Sequence, residues 1–216
     1  HMTPEVTNEL GPLLEQIQLR RTSSQQQLVE GLQSDWYRRF KQSWNAFLEP
    51  TVPHPKVQPK GLAPALDIAS QTLHKRYLRA LDHGGAIDDS TPAAALHDLR
   101  KDCKKLRYVI EFFSPLYKQG ATHTVLKQLK QLQDYLGYFQ DLDTHQLMLQ
   151  QISQQMVANN NTPPQALIAI GRLWERLAIN QQQTRHGFAD AFAPFAANEV
   201  QQAVTTLFSH QTTQSR

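Results

Sequence analysis

Residues 91–113 read T-P-A-A-A-L-H-D-L-R-K-D-C-K-K-L-R-Y-V-I-E-F-F. Leu96, Leu99, Cys103, Leu106, Ile110 and Phe113 recur at steps of three and four, the period of one apolar stripe on an α-helix. At about 100° per residue, His97, Arg100, Lys101, Lys104, Tyr108 and Glu111 share the opposite side, with Arg107 and Lys105 at its borders. One helix thus carries a core face and a cationic face. The row from His97 to Arg107 is about 15 Å long at the helical rise, which suits an elongated polyanion better than a single phosphate group.

Working outward, the helical period persists and strand-like alternation is absent, so the expected class is all-α, a bundle of about six to eight helices. Leu13, Leu14, Ile17, Leu28, Val29 and Leu32 mark a helix over 12–33, and Ser34 is placed to cap a second one carrying Trp36, Tyr37, Phe40, Trp44, Phe47 and Leu48. The proline-rich stretch 49–61 reads as an extended connection. A helix over 62–81 follows, with Gly84-Gly85 expected to supply a left-handed cap. Thr91 and Pro92 open the key helix as cap and first residue, and Pro115 closes it. Leu126, Leu129, Leu132 and Leu136 point inward from the next helix, which Gly137 is expected to kink or end; Asp141 and Asp143 then fall near the start of another, running to about residue 158. Leu167, Ile170, Leu173, Trp174 and Leu177, then Val200, Val204, Leu207 and Phe208, mark the last helices. One helical domain over residues 3–208 is expected, with His1-Met2 read as a cloning remnant and 209–216 as a disordered tail.

Net charge is only +3 over 216 residues, so affinity for a polyanion must come from clustering. Bases do cluster: five against two acids between Arg20 and Lys41, and ten against six between Lys56 and Arg107. The single cysteine, Cys103, excludes an internal disulfide and sits on the apolar stripe, which fits a reducing cytoplasm. No run approaches the roughly 18 apolar residues needed to span a bilayer, so no membrane partner is expected. Nine histidines form no metal-ligand spacing, and no phosphate loop, dinucleotide fingerprint or nucleophile elbow is present. Neither metal nor cofactor is expected, and catalysis is poorly supported.

An exposed helix usually neutralises itself with acids and bases at i, i+4. Here Asp98 and Asp102 fall on the Lys105 flank and are expected to neutralise that border, whereas His97, Arg100, Lys104 and Arg107 have only Glu111, one turn beyond. Arginine offers a planar donor fork to phosphate oxygens, lysine a compact point charge, and histidine a donor when protonated.

The run L-H-D-L-R-K-D-C-K-K-L-R-Y-V-I-E-F-F resembles the hallmark helix of the CHAD family, the conserved-histidine α-helical domain. That family's H-x-L-R-x-x-x-K-[KR]-L-R-Y-x-x-E is met by His97, Leu99, Arg100, Lys104, Lys105, Leu106, Arg107, Tyr108 and Glu111. Downstream, Leu129, Lys130, Leu132, Gln133, Leu136, Gly137, Gln140 and Asp141 resemble its second recurrent segment, so the likeness is sharpest over 96–143. The resemblance implies a helical bundle around a basic channel that binds inorganic polyphosphate without catalysis, in the cytoplasm and in association with polyphosphate granules. The residues expected to line the site are His97, Arg100, Lys101, Lys104, Arg107 and Tyr108, with Lys130, Arg76 and Arg79 on the opposite wall and Glu111 orienting a base such as Arg107. The family has two related halves, each with its own H-x-x-R helix, and this sequence carries one. A first basic-helix half outside the sequence is therefore expected, with an exposed apolar face and homodimerisation as consequences. A nucleic-acid backbone is the alternative ligand, and a helical protein-interaction scaffold the alternative class.

Overall fold

The computed structural model describes residues 9–49, 63–118, 120–159 and 162–209. Among them the chain is helical throughout, with no strand: α1 Gly11–Gln33, α2 Asp35–Leu48, α3 Ala65–Gly85, α4 Ala93–Phe113, α5 His123–Ala158, α6 Pro164–His186, α7 Phe188–Ala196 and α8 Asn198–Ser209, with one 3-10 turn at Ser114–Leu116. The all-α bundle is as expected. The leader dipeptide, nearly all of the proline-rich connection and residues 210–216 of the tail lie outside the described residues.

Local chemistry explains most boundaries and corrects four. The Ser34 Oγ accepts the Tyr37 backbone N–H at 3.2 Å, capping α2, and Pro115 turns the end of α4 into the 3-10 turn. Thr91, by contrast, is not the cap of α4, since Pro92 holds that position. The Thr91 hydroxyl instead accepts the Asp88 N–H at 2.9 Å and donates to Asp88 Oδ1 at 2.8 Å, closing the preceding turn. Hydrogen bonds from the Ser90 hydroxyl, the Thr91 hydroxyl and the Ser90 backbone N–H hold the Asp88 carboxyl below its ordinary range. Gly84 and Gly85 are helical, and Ala86 ends α3 in a right-handed conformation; among the described glycines, positive φ occurs at Gly120. Helix α5 passes straight through Gly137, so Asp141 and Asp143 are mid-helix, and Asp143 accepts a hydrogen bond from Gln181 at 3.0 Å.

Packing divides the described chain into two compact units, one within His1–Val57 and Gln146–Arg176, the other within Gln58–His145 and Leu177–Arg216; α5 and α6 contribute residues to both. The second unit holds the main core: Leu73, Tyr77 and Ala80 of α3, the α4 stripe, Val125, Leu129, Leu132, Leu136 and Phe139 of α5, Phe188 and Phe195 of α7, and Val200, Val204 and Leu207 of α8. The Tyr77 hydroxyl donates to the Phe195 carbonyl at 3.2 Å, and burial pushes its pKa up to about 12. Arg185 ties α6 to the start of α4 by donating to the Thr91 carbonyl, while its guanidinium stacks 5.5 Å from the Phe139 ring centre. The first unit buries Leu10, Leu13, Leu149, Ile152, Met156, Ala166, Ala169 and Ile170, and Arg20 donates to Gln155 Oε1 at 2.6 Å.

Gly84 is needed for space rather than for backbone freedom, because a Cβ there would stand 2.1 Å from the Phe192 ring. Replacing a helical glycine with alanine ordinarily stabilises by about 1 kcal/mol, but overpacking costs about 1–3 kcal/mol. Gly84→Ala is therefore expected to lower the unfolding free energy by up to about 2 kcal/mol, and Gly171→Ala in α6, which meets nothing within 4 Å, to raise it by up to about 1 kcal/mol; urea unfolding of the two variants checks both signs. Cys103 is fully buried and burial, followed by the neighbouring Asp102, pushes its thiol up to about 12. A thiol reagent at neutral pH should leave Cys103 unmodified until denaturant is added.

Candidate functional site

Helix α4 is held in rotation by its stripe: Leu96, Leu99, Cys103, Leu106 and Ile110 are each at most 1% exposed. That orientation lays one flank of its basic face along α5 in an antiparallel register. His97 meets Gln140, Nδ1 to Oε1 at 2.6 Å. Arg100 lies over Gly137, where a Cβ would stand 3.8 Å from its Nε. Arg107 donates from Nη1 to Gln133 Oε1 at 2.9 Å. Three bases on one helix are thus seated on Gln140, Gly137 and Gln133, which share one face of α5 at i, i+4 and i+7.

The partners are carboxamides, so they orient the bases without cancelling their charge. The Gln140 amide donates to Thr144 Oγ1 at 3.3 Å, which turns its oxygen toward His97. With that oxygen accepting, His97 Nδ1 carries the proton, and Nε2 is the other ring nitrogen, a donor when the ring is charged. At the far end of the row, Glu111 pairs with Arg107, Oε1 to Nε at 3.4 Å, and the guanidinium stands 5.6 Å from the Tyr108 ring centre. Gln133 Nε2 is left there buried without a hydrogen-bond partner among the described residues, and Arg107 Nε, also buried, has only the Glu111 carboxylate before it. Gln133 is 7% exposed. Buried donors are normally satisfied, and leaving one unpaired costs about 1–3 kcal/mol. An unpaired buried donor on a cationic row suits an acceptor-rich ligand.

The remaining bases divide. Arg100 and Lys104 are half-buried and make no ion pair among the described residues. Lys101 is bound by Asp98 at 2.5 Å, and that bond holds the Asp98 carboxyl below its usual range. Asp98 therefore neutralises Lys101 rather than Lys105, and Asp102 does not serve Lys105 either. About 140° around α4 from His97, Asp102 is 2% exposed and points into the α3 interface, where Arg79 Nε reaches it at 3.1 Å and His83 Nδ1 at 2.7 Å. Arg79 is thus engaged on the other flank of α4. Arg76 lines a polar groove along α3 with Gln71, Thr72, Lys75 and Arg79. Neither it nor Lys130 is joined to the row by a hydrogen bond or ion pair among the described residues. Lys130 is exposed and follows Gln133 in the register, next to the Arg107 end. Tyr108 is half-exposed beside Arg107.

The sequence offered Gln133, Gly137 and Gln140 as part of the second recurrent segment but not as seats for the bases, although their i, i+4, i+7 spacing was a usable signal for a face. Among the described residues no group of three His, Cys, Asp or Glu side chains is placed to hold a metal ion, and no helix is long and apolar enough to cross a membrane.

The class of protein is thereby set: an all-α bundle that presents a cationic helix face seated on carboxamides. Residues 2–150 match the family model of the CHAD domain, and the chain belongs to that family. Comparison with curated proteins finds no significant match.

Because Asp102 is buried, removing Arg79 leaves a carboxylate with His83 alone. Arg79→Ala is expected to lower stability by about 2–3 kcal/mol while leaving the affinity of the His97–Arg107 row for anions within about threefold of wild type; chemical denaturation and an anion-binding titration on the same preparation check the pair of outcomes.

Proposed function

We propose that the protein binds inorganic polyphosphate along the His97–Arg107 row and holds it without reacting with it. The observation that carries this is a row in which Arg100 and Lys104 have no acid of their own, beside a buried donor, Gln133 Nε2, that has no hydrogen-bond partner. A phosphate chain offers only acceptors and repeats its charge along its length, so successive units can meet Arg107, Lys104, Arg100 and His97 in turn. Tyr108 contributes its hydroxyl beside Arg107, and Lys130 extends the row beyond Gln133. Lys101 has a smaller part, being already neutralised by Asp98. Arg76 with Lys75 forms a separate basic patch on α3, available to a long chain. Membership of the CHAD family supports the same ligand. The absence of chemistry on the ligand is part of the proposal: the side chains facing the row from α5 are carboxamides and a glycine, which orient but do not exchange protons. Cytoplasmic location, in association with polyphosphate granules, belongs to the same proposal.

Equilibrium binding of long-chain polyphosphate at fixed ionic strength tests it. A charge-assisted hydrogen bond is worth about 1.5–3 kcal/mol, so Arg100→Ala and Lys104→Ala should each weaken binding about ten- to hundredfold, and Lys101→Ala by less than about tenfold. Affinity should fall steeply with salt, and incubation should release no orthophosphate. Undiminished affinity in the Arg100→Ala, Lys104→Ala double variant would remove the proposal. Displacement of polyphosphate by equal concentrations of RNA or DNA phosphate would transfer the site to nucleic acid.

A further inference from the structure

The helical arm formed by the second half of α1 and all of α2 is built differently from the rest of the chain. From Arg21 to Glu49 every residue is exposed except Ser34 and Tyr37, which are half-buried, and α2 buries no residue at all. Yet α2 is strongly amphipathic. Trp36, Phe40, Trp44 and Phe47 fall within about 80° of its circumference, with ring centres 6.0, 6.4 and 5.6 Å apart in succession, and they are 68, 49, 51 and 74% exposed. Leu28, Val29 and Leu32 on α1, and Leu48 at the end of α2, are exposed as well.

Helices of this length are marginal in water unless an amphipathic face is packed. At about 150–250 Å² per aromatic side chain, the four rings alone leave roughly 500 Å² of apolar surface bare. That is near the upper size of patches tolerated on a monomer, about 300–600 Å². With the four aliphatic residues the surface approaches the roughly 800 Å² that each partner contributes to a stable interface.

We infer that this arm is the interface of a two-fold homodimer, each copy's α2 stripe packed on that of a second copy of the chain. The charges permit it. No acid or base lies within the stripe, and Arg39 and Lys41 border it about 100° to either side of its centre. In an antiparallel two-fold pairing centred on Gln42, Phe40 faces Trp44 of the partner subunit and Trp36 faces Leu48 of the partner subunit. Arg39 then lies opposite Asn45 of the partner subunit and Lys41 opposite Ser43 of the partner subunit, so no like charges stack. The surface lies apart from the His97–Arg107 row in sequence and shares no residue with it, so the inference stands independently of polyphosphate binding.

Sedimentation equilibrium of the full chain over a range of concentrations tests it. Wild type should approach twice the monomer mass, and the Phe40→Glu, Trp44→Glu variant, unchanged in helix content by circular dichroism, should dissociate at least about a hundredfold more readily. Because two of the three tryptophans are in the stripe, diluting the wild-type protein should shift its fluorescence to the red, a readout that needs no variant. A wild type that stays monomeric at every concentration would overturn the inference. So would a dimer that survives the double substitution, or a monomer whose arm is captured by vesicles of anionic phospholipid.

Discussion

Everything about the basic face depends on how α4 is rotated, and its rotation is set by burial of five apolar residues between α3 and α5. Full burial of a side chain of that kind is worth about 1.5–3 kcal/mol, so the stripe contributes up to about 15 kcal/mol. No surface ion pair competes with that. Once the stripe is inward, His97, Arg100 and Arg107 have no freedom to choose a neighbour: they must lie along α5, and Asp102 must enter the α3 interface. The chemistry of the site is therefore a by-product of core packing.

Orientation without neutralisation is the second constraint. A base pressed against a neighbouring helix needs an acceptor, and a carboxylate there would satisfy it while cancelling its charge. Gln133 and Gln140 supply the acceptor and leave the charge in place, and Gly137 lets the Arg100 guanidinium lie close to the α5 backbone. The acids of α4 are spent elsewhere: Asp98 on Lys101, Asp102 on Arg79 and His83. The row keeps Arg100 and Lys104 free of acids and gives up Lys101 at its border. Only Glu111 enters the row itself, against Arg107 Nε, at the end where Gln133 Nε2 remains unpaired.

The two units differ in how they use apolar residues. In the second unit α3, α4, α5, α7 and α8 contribute to one continuous core. In the first unit most of the large apolar residues of α1 and α2 face outward. The same periodicity in sequence thus underlies a closed core in one place and an open stripe in the other, and the difference lies in whether a second apolar face is present to meet it.

The sequence alone carries the class of fold, the faces of α4, the Ser34 cap and the stop at Pro115, because each follows from period or from local backbone chemistry between near neighbours, and it carries the family as a resemblance of the motifs over 96–143. It also singled out His97, Arg100, Lys104 and Arg107. It misjudged Gly137, Thr91 and the Gly84-Gly85 pair, reading as punctuation residues whose roles depend on what packs against them: Arg100 over Gly137, Phe192 against Gly84, Asp88 across from Thr91. Which acid pairs with which base could not be read from spacing, since Asp102 reaches partners 23 and 19 residues away on α3. Only the tertiary structure decided that Arg79 belongs to a buried ion pair, that Gln133 and Gln140 seat the bases, and that the aromatic stripe of α2 is open. These are consequences of which helices lie side by side, and spacing along one helix carries no information about its neighbour.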